Sequence, residues 1–255
     1  MLWDRKAEIK IEQNLIIGQT PLRNIKMYVN GTKPAINSNY INTPLDKKIA
    51  ISSGKSTSVE VVEHIINQAK VNFESGSSKF TKSADTYNAM QTVLAWTTIY
   101  DPNNHRVINP VSRTFSNDWV LFDWDTYFAA YMLSLNNKDL AYANAIAITK
   151  EITAKGFIPN NSQPGHKSED RSEPQVGSII VREIYQKYQE KWFLKEVYNE
   201  LLSWNRWRAA NRYIDGYLVY GTDPYDYGDS KSRSATESGK IKTASWESGM
   251  DNSPM

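Results

Sequence analysis

Two carboxylates lie close together in the stretch WESGMDNSPM, residues 246–255. Glu247 and Asp251 share it with Trp246 and Gly249, so it is richer in charged and aromatic groups than a chain end usually is. Carboxyl groups transfer protons during bond cleavage, and indole rings pack against the apolar faces of sugars. The stretch therefore has the residue types of a functional site. The structural alternative is a loop that precedes another helix.

A second stretch of similar character covers residues 109–132. Arg113 comes first, and Phe122, Trp124 and Asp125 follow within the motif FDWD, at the predicted start of a helix. An aspartate at this point can cap the helix. A cap requires neither two tryptophans nor an arginine nearby, so we expect a binding site here.

The third stretch covers residues 156–178 and contains Asn160, Arg171 and Glu173. The sequence SEP within it is also typical of a helix start with proline in the first turn. Both interpretations, a helix start and a part of a polar site, stay open for this stretch.

Composition narrows the class of protein. The 255 residues carry a formal net charge of +2, contain no cysteine and include 8 Trp, 15 Tyr and 7 Phe. The absence of cysteine excludes disulfides and thiolate chemistry, and the mixing of positive and negative charges predicts no nucleic-acid partner. The aromatic content favours either a carbohydrate site or an aromatic core between helices.

No part of the sequence is long and apolar enough for a membrane segment, and residues 1–20 lack the zones of a signal peptide. We therefore expect a cytoplasmic protein, or a periplasmic or secreted one if the natural N-terminus is missing.

The apolar pattern changes near residue 80. Before it, Ile9 and Ile11, like Met27 and Val29, alternate with polar residues as in strands, and the dipeptide NG at 30–31 predicts a hairpin. Beyond it, the helical period predicts five helices, whose first apolar residues are Ala84, Trp124, Ala141, Val176 and Leu194.

These patterns divide the chain into three parts. Residues 1–58 are predicted to be the C-terminal part of a β domain, with a loop at 33–48, and residues 59–82 a linker with a short helix over 59–72. Residues 83–255 are predicted to be helical.

Connections in the helical part alternate between short and long. The second and third helices, and the fourth and fifth, are joined by a few residues. The segments 100–122, 153–172 and 214–246 are predicted to be long polar loops at the other end of the helices, where we expect the functional site.

Four motifs in order, FDWDTYFAAYM, GFIPN, DRSEPQVGS and WESGMDNSP, resemble the α-glucosidases of glycoside hydrolase family 63 over about residues 83–255. Trehalases carry similar motifs and are the alternative family. The resemblance implies a mainly α fold, with part of an (α/α)6 toroid preceded by the tail of a β-sandwich domain. It also implies hydrolysis of terminal α-glucosidic bonds in oligosaccharides or glycosides, with inversion at the anomeric carbon.

The resemblance further implies roles for individual residues. Asp251 stands at the position of the general acid, which protonates the leaving oxygen. The substrate-binding positions correspond to Arg113, Phe122, Trp124, Asp125, Asn160, Arg171, Trp246, Glu247 and Gly249. The chain has RSEPQ where related enzymes often have RSQPP, so a role for Glu173 does not carry over from them.

An inverting enzyme also needs a carboxylate base. The resemblance implies a glutamate beyond Met255, and five helices are too few to close the toroid, so we expect this chain to be part of a longer protein and inactive alone. Asp125, Glu173 and Glu247 are the alternative bases within the chain.

Two non-catalytic alternatives also stay open, a helical carbohydrate-binding domain and an all-α interaction module. No cofactor is predicted. The oxygen-rich segment GTDPYDYGDS, residues 221–230, is considered as a calcium site, although it lacks the spacing of a known calcium loop.

Overall fold

The computed structural model describes residues 8–19, 24–37, 40–115, 118–223 and 237–251. The chain divides into two compact units, Met1–Ala84 and Asp85–Met255. Helices predominate over strands in the described residues, so the prediction of a mainly α protein is confirmed.

The first unit contains an antiparallel sheet in the order β1-β2-β3-β6, a small hairpin and one long helix. The strands of the sheet are β1 (Glu8–Glu12), β2 (Leu15–Gln19), β3 (Asn24–Asn30) and β6 (Ala50–Ser53). The hairpin consists of β4 (Ala35–Asn37) and β5 (Tyr40–Asn42), and the helix is α1 (Val59–Ser78). Ile16, Val29 and Ala50 form the buried side of the sheet.

The hairpin predicted at 30–31 is wrong, because β3 pairs with β2 and β6 and not with the next strand in sequence. Gly31 has φ +100° and lets the backbone of Lys48 approach it, since an added Cβ would lie 2.6 Å from the Lys48 carbonyl oxygen. The predicted loop at 33–48 contains the β4–β5 hairpin. The predicted short helix continues through its Gly and Ser residues to Ser78.

All five predicted helices are present, and four of them form a compact group in the second unit. The helices are α2 (Ala84–Thr97), α3 (Asp123–Leu133), α4 (Lys138–Thr149), α5 (Gly177–Tyr188) and α6 (Lys191–Asn211). Helices α3 to α6 pack against one another. Their shared core contains Tyr127, Ile148, Ile184, Phe193 and Trp204.

The predicted long loops contain regular structure, which corrects that prediction. Two antiparallel hairpins join β7 (Ile99–Asp101) to β8 (Arg106–Ile108) and β13 (Tyr213–Ile214) to β14 (Tyr217–Leu218), and four further strands form one antiparallel sheet. That sheet has the order β12-β11-β10-β9, with β9 (Ser112–Phe115), β10 (Asp118–Phe122), β11 (Asn161–Gln163) and β12 (His166–Lys167).

The predicted loop 214–246 also contains most of a helix, α7 (Glu237–Glu247). Its sequence ESGKIKTASWE has few apolar residues, so no helical period stands out. Residues 224–236 lie outside the described residues, and with them most of the segment considered as a calcium site. Closure of the helices into a toroid, and the β-sandwich, stay predictions. Among the described helices, none has both the length and the apolar character needed to cross a bilayer.

Candidate active site

A cavity of about 510 Å³ opens in the second unit, where the sheet, the start of α3, the segment before α5 and the end of α7 meet. Its volume falls within the range of about 300–1,000 Å³ that small-molecule sites usually have. It is lined by Val111, Phe115, Phe122, Trp124, Asp125, Asn160, Asn161, Arg171, Glu173, Trp246, Gly249 and Asp251. Aromatic rings, carboxyl groups, amides and one guanidinium therefore line the same cavity.

Eight of the ten residues that the sequence singled out line this cavity. They are Phe122, Trp124, Asp125, Asn160, Arg171, Trp246, Gly249 and Asp251. The three chemistry-bearing stretches, separated along the chain, thus meet at one place. Arg113 and Glu247 do not line the cavity.

Arg113 lies on an exposed part of β9. Its guanidinium stacks over the Trp96 ring at 5.5 Å, and Nη1 donates a hydrogen bond to the Trp96 carbonyl oxygen at 3.3 Å. The neighbouring residues Val111 and Phe115 face the cavity in its place.

Glu247 is completely buried and forms a structural ion pair. Arg212 donates to both of its carboxylate oxygens, at 2.6 Å and 2.9 Å, and the backbone N–H of Ser172 donates to one of them at 3.3 Å. Arg208 approaches the carboxylate at 3.8 Å. This carboxylate therefore fastens α7 to the end of α6 and to the segment that precedes α5.

The turn after α7 directs Asp251 toward the cavity. Gly249 and Asp251 both have positive φ, +72° and +45°, which reverses the chain at the helix end. The carbonyl oxygen of Asp251 then accepts hydrogen bonds from Ser245 Oγ at 2.9 Å and Lys242 Nζ at 3.3 Å. Because these bonds hold its backbone, the Asp251 side chain stays beside the lining residues.

Gly249 packs directly on the indole of Trp124. A Cβ at this position would lie 2.6 Å from a ring carbon of Trp124, closer than any real side chain allows. We expect Gly249→Ala to displace Trp124 and to weaken saccharide binding at least tenfold, because the ring is rigid and partly buried. Binding is measured by isothermal titration calorimetry.

Gly165→Ala is the matched control for this prediction. Gly165 has a similar φ of +76°, but its added Cβ would have no atom within 4 Å. The two variants share the backbone strain and differ in the clash. Equal binding by both variants would show that the contact between Gly249 and Trp124 has no role in the site.

A hydrogen-bond network joins the polar lining residues. Arg171 donates through Nη1 to both carboxylate oxygens of Asp170 at 2.8 Å, and its guanidinium stacks 4.6 Å from the Trp246 ring. Arg171 Nη2 donates to Asn160 Oδ1 at 3.3 Å, and Asn160 Nδ2 donates to Glu173 Oε1 at 2.6 Å. The network fixes Trp246 and Asn160 relative to each other.

Several carboxyl groups lie close together on this side of the unit, and their pKa values are raised. Burial, and to a smaller extent the charge of Asp251, raises the pKa of Asp125. Burial and the charges of Asp125 and Asp251 raise the pKa of Glu173 to about 9. Behind the cavity wall, burial raises the pKa of Asp123 well above its ordinary value. The site therefore favours proton-bearing carboxyl groups.

Three lining residues were not predicted, Val111, Phe115 and Asn161, and a fourth, Glu173, was considered only as an alternative base. Phe115 contacts Phe122 edge to face at 5.6 Å, and Asn161 pairs with Phe122 across β10 and β11. Phe115 and Asn161 lie in the strands on either side of β10, and this pairing, which the sequence does not reveal, brings them to the same cavity.

Indole rings beside carboxyl and amide groups are residue types that a carbohydrate site uses, and the carboxyl groups are able to transfer protons. Residues 118–255, more than half of the chain, match the family model described as "Mannosylglycerate hydrolase MGH1-like glycoside hydrolase domain". The chain belongs to this family of glycoside hydrolase domains. The predicted classes hydrolase and glycosidase, with a carbohydrate as the substrate, are thereby confirmed.

Proposed function

We propose that the protein hydrolyses terminal α-glucosidic bonds of oligosaccharides or glycosides with inversion, as the resemblance to family 63 implies. The observation that supports it is that Asp251 lines the same cavity as Asp125, Trp124 and Trp246, within the glycoside hydrolase domain. We place a sugar ring against the Trp124 and Trp246 indoles, with Asp125 accepting hydrogen bonds from its hydroxyl groups.

Asp251 is the proposed general acid. Protonation of the leaving oxygen is needed because a sugar alkoxide departs poorly, and the acid must reach that oxygen from the wall of the cavity. Asp251 lines the cavity and is exposed to solvent, so a leaving group can reach it.

Glu247 and Glu173 are poor candidates for the base. Glu247 is enclosed by Arg212 and Ser172 and does not line the cavity, so water cannot reach it there. The pKa of Glu173, about 9, means that it already holds a proton at neutral pH. Asp125 is proposed to bind hydroxyl groups, so we place the base on a carboxylate outside the described residues.

We also propose that the packed helices α3 to α6 belong to an (α/α)6 toroid whose long-loop end contains the cavity. Two short helix–helix connections, at 134–137 and 189–190, support hairpin stacking of this kind. An experimental structure in which the helices form an open solenoid would contradict this proposal.

A second candidate activity is hydrolysis of mannosylglycerate, which the family description favours. Glucose and mannose differ in the configuration at C2, so the two activities demand different contacts at one hydroxyl group. An anionic glycerate moiety would also require a free cation, whereas Arg171, the cation among the described lining residues, is bound to Asp170.

The experiment is a hydrolysis screen of the full-length protein on matched α-glucosides, mannosylglycerate and trehalose, with detection of released sugar. We expect the highest kcat/KM on an α-glucoside. Preference for mannosylglycerate or trehalose would contradict the proposed substrate, whereas the proposed reaction class, hydrolysis of a glycosidic bond, would stand. Binding without hydrolysis of any member would support the carbohydrate-binding alternative instead.

A further inference from the structure

Glu173 connects two walls of the cavity. Its Oε2 accepts a hydrogen bond from the backbone N–H of Trp124 at 3.1 Å, and its Oε1 accepts one from Asn160 Nδ2 at 2.6 Å. The Trp124 N–H belongs to the first turn of α3, where backbone donors lack partners within the helix, and Phe122, which precedes the helix, contributes no side-chain cap. Glu173 thus supplies, from a distant segment, the cap that α3 lacks.

The surroundings of Glu173 disfavour a negative charge. The residue is 5% exposed, and the Trp124 backbone and the Asn160 amide, which donate to its oxygens, are uncharged N–H groups. Asp123 and Asp125 face it from α3, and Asp251 faces it from the turn after α7. The nearby cation, Arg171, is engaged by both oxygens of Asp170. A buried carboxylate without a dedicated cation is costly, so a carboxyl group in this position keeps its proton.

We infer that Glu173 is an uncharged carboxylic acid in the folded protein and acts as a positioning residue, which holds the Trp124 and Asn160 walls around an uncharged sugar ring. The part of this inference that concerns the sugar rests on the proposed function. The pKa of about 9, raised by burial and by the charges of Asp125 and Asp251, agrees with it.

An uncharged Glu173 has two consequences for the site. Its proton lets the carboxyl group donate one hydrogen bond while its oxygens still accept from Trp124 and Asn160. Its neutrality also limits the negative charge beside Asp125 and Asp251, so these two groups can change protonation during a reaction without a third charge next to them. Ionisation of Glu173 at alkaline pH would remove both advantages.

The charge state can be measured without any substrate. Protein labelled with ¹³C at the glutamate side-chain carboxyl is titrated by NMR, which excludes signals from Asp123 and Asp125. We expect one resonance to titrate near pH 9 and to be absent in Glu173→Gln. Glu169→Gln, an exposed change in the same segment, is the control and should keep that resonance. The inference is overturned if no glutamate titrates above about pH 7, or if the resonance survives in Glu173→Gln.

Stability gives a second readout of the same proton. Because the pKa of Glu173 lies above its ordinary value of 4.5, the folded protein retains a proton that the unfolded chain releases as pH rises through this window. The free energy of unfolding therefore falls with rising pH, and Glu173→Gln escapes this loss. We expect the Tm of the variant relative to wild type to increase from about pH 5 to about pH 8. A difference independent of pH would contradict the inference.

The positioning role is tested by ligand binding. Affinity for methyl α-D-glucoside is measured by calorimetry from pH 6 to pH 10 for wild type and Glu173→Gln. We expect wild-type affinity to fall about tenfold as pH passes 9, and the variant to show no such fall, whatever its absolute affinity. Identical pH profiles would overturn the positioning role. Absence of sugar binding at every pH would contradict the proposed function, while the NMR titration would still decide the charge of Glu173.

Discussion

Asp251→Asn is expected to reduce kcat by about 10²–10⁴-fold on glucosides with sugar or alkyl leaving groups, in the full-length protein. An amide cannot protonate the departing oxygen, so the leaving group would have to depart as an alkoxide. α-Glucosyl fluoride needs little proton assistance, and its hydrolysis should fall far less. Steady-state kinetics on both substrates measure the difference.

Asp139→Asn is the control for this experiment, since Asp139 is exposed in the first turn of α4 and does not line the cavity. It should leave both rates unchanged. Equal losses on the fluoride and on the alkyl glucoside for Asp251→Asn would assign Asp251 to substrate binding and would remove it as the acid.

Glu247→Gln is expected to lower the free energy of unfolding by about 3–5 kcal/mol, the usual effect of removing one partner from a buried ion pair. Arg212 and Arg208 are 9% and 6% exposed in their side chains, so both guanidiniums would lose their counterion in a place that water scarcely reaches. Urea denaturation at neutral pH measures the loss.

The exposed pair between Arg182 and Glu183 supplies a matched comparison. Glu183→Gln removes a carboxylate 2.9 Å from an arginine, but the arginine side chain is 63% exposed, so we expect a change below about 1 kcal/mol. A comparably small effect of Glu247→Gln would mean that the buried pair does not fasten α7. Because α7 leads to Gly249 and Asp251, loss of the pair should also impair the cavity.

Much of the helical unit was predictable, because helices α3 to α6 bury one face and so carry a regular apolar period. Helix α7 was not, since its sequence is mostly small and polar residues and its position depends on Glu247 meeting Arg212 from another helix. A contact between residues so far apart in sequence leaves no local pattern. Similarly, the NG dipeptide at 30–31 lies where β3 ends and the chain bends, but it does not specify which strand pairs with β3.

The candidate site was predictable in its members more than in their roles. Motif position brought Asp125, Asn160, Arg171 and Asp251 to attention, and the structure places them on one cavity. Motif position could not separate Glu247, which faces two arginines, from Asp251, which faces the cavity. The direction of a side chain depends on the turn after α7 and on tertiary contacts, so it emerges only from the fold.

The most direct test of the central claim is the anomeric form of the first sugar that the full-length protein releases. Hydrolysis of an α-glucoside is followed by ¹H NMR from the first minutes, before mutarotation equilibrates the anomers. Inversion through Asp251 and a separate base predicts that β-glucose appears first, and that Asp251→Asn abolishes this signal. Initial release of α-glucose, or release that persists unchanged in Asp251→Asn, would contradict the account.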